Sequence, residues 1–82
     1  MAAEKNFRRN LQTAIEKRKL KISHVAKNAK TSRPYIYRII DGETDPGLAQ
    51  CERLANAVGF DLRDLLLEPK IFADSLLTSV HN

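Results

Sequence analysis

Between Ser23 and Gly42 the chain has room for two short helices and one tight turn, and for little else. Val25, Ala26 and Ala29 recur at helical spacing in the first half of this stretch, and Ile36, Ile39 and Ile40 in the second. Ser32 sits where a hydroxyl oxygen can accept from the free amides of a first helical turn. Pro34 falls within that turn, where a missing N–H removes no intrahelical bond. Asp41-Gly42 is a helix stop. The later of these two helices, capped by Ser32 and ending at Ile40, carries cations and tyrosines on one side and branched aliphatics on the other. One side is therefore suited to a small core, and the other is left for a partner.

The same reading extends helices over the rest of the chain. Phe7, Leu11, Ala14 and Ile15 predict a first helix from about Glu4 to Lys19, with Leu20 as a core anchor behind it. The second helix runs from about Ile22 to Ala29, and no glycine marks its end. Asp45-Pro46-Gly47 is a start signal for a fourth helix. Its apolar stripe is Leu48, Cys51, Leu54, Ala55 and Val58, and Gly59 stops it. Asp61 caps a short fifth helix with Leu62, Leu65 and Leu66 turned to the core, and Pro69 closes the unit. No period-2 run is long enough to argue for a sheet. The expectation is an all-α fold of five compact helices, residues 1–68, followed by a C-terminal extension, residues 69–82.

That extension holds Ile71, Phe72, Leu76, Leu77 and Val80, too many apolar residues for a disordered tail. It reads as a sixth helix or an added strand. It either folds back onto the monomer or forms a dimer interface. With a small core already complete at Leu66, the second is favoured.

Charge narrows the partner. The 82 residues carry a formal net charge of +4, very unevenly spread. Residues 1–38 hold eleven Lys and Arg against two Glu, a net +9, whereas residues 39–82 come to −5. One half is built to meet a polyanion. On the helix that follows Ser32, the outward positions are Arg33, Pro34, Tyr37 and Arg38, with Tyr35 on the shoulder. An arginine can make a bidentate contact to guanine, and a tyrosine can donate a hydrogen bond or pack on a thymine methyl. Lys27 and Lys30, near the turn, are placed for phosphates. The bland alternative for both arginines is a solvated surface.

With these residues in place, the sequence resembles the helix-turn-helix domains of the phage Cro and repressor family, the lambda-repressor-like or XRE family. The resemblance covers about Leu11 to Leu66. It is carried by Tyr35-Ile-Tyr-Arg-Ile-Ile-Asp-Gly42, then Pro46-Gly-Leu48, Leu54-Ala-Asn-Ala-Val-Gly59 and Leu62-Arg-Asp-Leu-Leu66. It implies a compact five-helix domain that binds double-stranded DNA through its third helix. Ser32, Arg33, Pro34, Tyr37 and Arg38 fall where members commonly touch bases or phosphates. It also implies a homodimer on a pseudo-palindromic site with half-sites about one helical turn apart.

The chain departs from the family at several positions. Ile22 stands where members often begin the second helix with a phosphate-contacting Gln. Lys30 stands where the turn usually carries a left-handed Gly. Ile15 and Ile40 replace a frequent Arg–Glu pair between the first and third helices, which predicts an apolar contact in its place. The loop after the third helix is often basic in the family; here it holds Asp41, Glu43 and Asp45, which predicts weak non-specific affinity.

Other function classes find little support. A single cysteine excludes an intrachain disulfide and a thiolate zinc cluster and fits a reducing cytoplasm. Cys51 reads as a small core residue. His24 and His81 lack partner ligands at metal spacing. There is no glycine-rich phosphate cradle, no nucleophile–base constellation, and no apolar run near the ~20 residues that span a bilayer. The sequence thus predicts a DNA-binding transcriptional regulator, a repressor, with no catalytic activity, cofactor, metal, membrane segment or small-molecule ligand. The alternative is a protein-interaction module of the antitoxin type, using its apolar tail on a protein partner.

Overall fold

The structure, a computed structural model, describes residues 2–79, with side chains from 3 to 76. Every described element is a helix: α1 (Ala2–Lys17), α2 (Ile22–Asn28), α3 (Arg33–Ile40), α4 (Leu48–Ala57), α5 (Leu62–Leu65) and α6 (Pro69–Ser79). The core is a single cluster. Phe7, Leu11, Ala14 and Ile15 of α1 meet Val25 and Ala26 of α2, Ile36 and Ile39 of α3, Leu54 and Ala55 of α4, and Leu65 of α5. The inward stripes of α1, α2 and α3 are those the periodicity predicts. Small residues at 26, 29 and 55 let helices cross closely, and α2 packs against both α3 and α4.

Four of the turns share one device. The residue two beyond the last helical one adopts a left-handed backbone, so the next amide can reach a carbonyl of the last turn, as in a Schellman motif. After α3 and α4 this residue is glycine, Gly42 with φ +78° and Gly59 with φ +89°. After α1 and α2 it is lysine, Lys19 with φ +53° and Lys30 with φ +56°. The closing bonds are Leu20 N–H to Ile15 O, Thr31 N–H to Ala26 O, Glu43 N–H to Arg38 O and Phe60 N–H to Ala55 O, all between 2.8 and 3.0 Å. The α2–α3 turn thus keeps the left-handed shape without a glycine.

Caps fix the helix starts. The Ser32 hydroxyl accepts from Tyr35 N–H at 3.3 Å and starts α3, with Pro34 in the first turn. At α5, Asp61 N–H donates to the Asp64 carboxylate at 3.1 Å.

The structure corrects the sequence reading on the far side of the core. Pro69 opens α6 instead of ending the domain, because a first-turn proline loses no intrahelical bond. Phe72 and Leu76 are buried in the monomer's own core, so neither is available to a second copy in this fold. Phe72 meets Phe60 edge to face, with ring centroids 5.0 Å apart. The Arg18 guanidinium also lies over the Phe60 ring, 4.2 Å from its centroid. This stack ties the end of α1 to the α4–α5 turn and α6. The core is therefore not complete at Leu66, which is itself exposed, as is Ile71. The side chain of Leu77, together with Val80 and His81, lies outside the described residues.

Two members of the expected α4 stripe also move outward. Leu48 is 71% exposed at the helix start, before α4 reaches the core. Cys51 is half-buried at the core's edge, its Sγ 3.8 Å from the Pro46 carbonyl, and burial pushes its thiol pKa up.

Candidate nucleic-acid interface

The outer surface of α3 follows from its inner one. Ile36 and Ile39 are fully buried, which turns positions 33, 34, 37 and 38 outward. Arg33 and Tyr37 are four residues apart, as are Pro34 and Arg38, so they form two adjacent rows on one face. Arg33, Pro34 and Arg38 are exposed, and Tyr37 is 52% exposed. Tyr35 is half-buried and packs against the core. Ser32 has its hydroxyl oxygen engaged by the cap and is otherwise exposed.

The α2–α3 turn brings cations to one end of this surface. Lys27, in the last turn of α2, and Lys30, in the turn itself, are both exposed. Ile22, at the start of α2, is half-buried against the core and offers no polar group there. Ile15 is buried and Ile40 partly buried in the same apolar cluster, so aliphatic packing occupies both positions.

Beyond α3 the loop is acidic but not uniformly free. The Arg8 guanidinium approaches the Asp45 carboxylate at 3.9 Å. It also lies beside Gly42, where an added Cβ would sit 3.6 Å from it. Asp41 and Glu43 remain exposed.

Sequence reasoning missed Asn6 and Asn10. Asn10 is fully buried, and its Nδ2 donates to the carbonyls of Leu65 and Leu67 at 3.0 and 2.7 Å. Asn6 Nδ2 donates to Leu66 O at 3.2 Å. Together they satisfy three successive carbonyls at and just beyond the end of α5, where no helical turn follows to supply donors. Two amides at i and i+4, flanking the core stripe of a helix, were the only signal for this role.

What the surface offers is a helix with hydrogen-bond donors facing out, held on a rigid apolar back, with cations at its flank. Guanidinium groups in that arrangement can reach base edges while lysines meet the backbone. Among the described residues no helix is long and apolar enough to cross a membrane. Nor does any group of three or more His, Cys, Asp or Glu there have the geometry to hold a metal ion. A family model described as helix-turn-helix matches residues 11–65. No curated protein and no solved structure gives a significant match.

Proposed function

From the fact that the chain belongs to the Cro/C1-type helix-turn-helix family of DNA-binding regulators, we propose that it is a sequence-specific transcriptional repressor. In this reading it binds a pseudo-palindromic operator as a homodimer and acts by occupying the site. The observation that carries the reading is the outward face of α3, where Arg33, Tyr37 and Arg38 stand exposed above fully buried Ile36 and Ile39. Arg33 and Arg38 read guanine through O6 and N7, Tyr37 meets a neighbouring base, and Lys27, Lys30 and the Ser32–Pro34 turn set the register on phosphates. With Phe72 and Leu76 in the monomer core, the exposed aliphatic side chains left for a second copy among the described residues include Leu48, Leu66 and Ile71.

The test is selection of bound duplexes from a random pool at about 150 mM salt, where non-specific attraction is partly screened. The expected result is an inverted repeat with half-sites roughly ten base pairs apart, together with a dimer mass by sedimentation. Recovery of no common sequence would overturn operator reading and turn attention to a protein partner. A monomer that still selects a single half-site would overturn the dimer alone.

A further inference from the structure

An open groove of about 460 Å³ runs along the solvent side of α1. Lys5, Arg8, Arg9, Gln12 and Glu16 line it, together with Ile40, the last residue of α3. Lys5, Arg9, Gln12 and Glu16 stand at i, i+4, i+7 and i+11, along one face of the helix. That face lies opposite the Phe7, Leu11 and Ala14 stripe, so the fold does not require cations there. The groove begins where α3 ends. If α3 lies in the major groove, the sugar–phosphate strand bordering that groove passes beside α3 and reaches this end of it. The loop that follows α3 is placed to meet that strand. Here the loop carries Asp41, Glu43 and Asp45 and repels it. Arg8 offsets one of these acids by pairing with Asp45 at 3.9 Å, leaving the exposed Lys5 and Arg9 to supply positive charge.

We propose that the α1 groove is a second phosphate-binding element, in which Lys5 and Arg9 hold backbone phosphates of the same duplex whose bases α3 reads. The proposal rests on the DNA-binding reading above. Gln12 and Thr13 add neutral donors further along the groove. Glu16, which accepts from Gln12 Nε2 at 3.5 Å, limits the site at its far end.

The test measures affinity of the full chain for two labelled duplexes, the selected operator and a scrambled sequence, across a salt series. Each phosphate contact contributes about 0.9 to the slope of log K against log salt. The double variant Lys5→Gln/Arg9→Gln is expected to lower that slope by about 1 to 2. It should weaken both duplexes by a similar factor of ~10 or more at 0.1 M salt, since phosphates carry no sequence information. Glu16→Gln is expected to tighten binding to both, an effect that misfolding cannot imitate. Arg63→Gln, on α5, is the charge control and should leave the slope unchanged. An unaltered slope and affinity in the Lys5/Arg9 variant, or no gain from Glu16→Gln, would overturn the groove as a phosphate site while wild-type binding still supports the DNA reading. Wild-type protein that binds neither duplex would instead remove the DNA reading and this inference with it.

Discussion

Lys30 joins a structural position to a proposed phosphate contact, and a single substitution can separate the two. Its φ of +56° places a side chain in the left-handed region, at a cost of about 1 kcal/mol relative to glycine. Its charge stands at the start of α3, exposed. Lys30→Gly is therefore expected to raise stability by roughly 0.5–1 kcal/mol in denaturant unfolding while weakening DNA binding at low salt. If stability falls instead, the turn is held by contacts of the lysine stem, not by its backbone. Arg38 carries a different expectation. As a base-reading group its replacement by Ala should cost about 1–3 kcal/mol on the operator and relax preference at one position. A uniform loss across sequences, read in competition assays, would make it a phosphate contact.

Helices in this chain are held together by two fastenings that run across the core. Asn10 donates to two backbone carbonyls from a fully buried position. Asn10→Ala leaves both acceptors without a partner, and the expected loss is about 2–4 kcal/mol by chemical denaturation. Phe72 joins α6 to the body through Phe60, over which Arg18 is stacked. Phe72→Ala is expected to cost about 3–5 kcal/mol, and the protein should unfold in one transition with α6 included. A separate early transition for α6 would show the helix to be an appendage. Stability margins of small domains are only ~5–15 kcal/mol, so either change should be visible in the melting temperature.

Across the molecule as a whole, charge is segregated: a net +9 in residues 1–38 and −5 in the remainder. Helix α3 lies at the junction, with cations before it and an acidic loop behind it. Glu43 in that loop is exposed, so Glu43→Lys should tighten binding to any duplex and steepen its salt dependence by about one phosphate contact, near 0.9 in slope. Unchanged affinity would mean the loop stands away from the backbone, which would also weaken the argument for the α1 groove.

The residues alone determined the local layer of this protein. Apolar periodicity, Ser32 as a cap, Gly42 and Gly59 as stops and the outward cations of α3 depend on neighbours a few positions away, where side-chain chemistry acts directly on the backbone. Tertiary structure decided whatever depended on the far side of the core. Whether Lys30 could take a left-handed turn was settled by the packing on either side of it. The role of Asn10 became visible only once α5 lay against α1, because a buried amide is explained by acceptors more than fifty residues away. The fate of the tail was decided by volume: Phe72, against Phe60, and Leu76 fill core space that no local pattern records. An apolar stripe states that a helix must cover something, but not which surface it covers. The groove along α1 is likewise a product of assembly, since Lys5 and Arg9 share a wall with Ile40 only after α1 and α3 have packed.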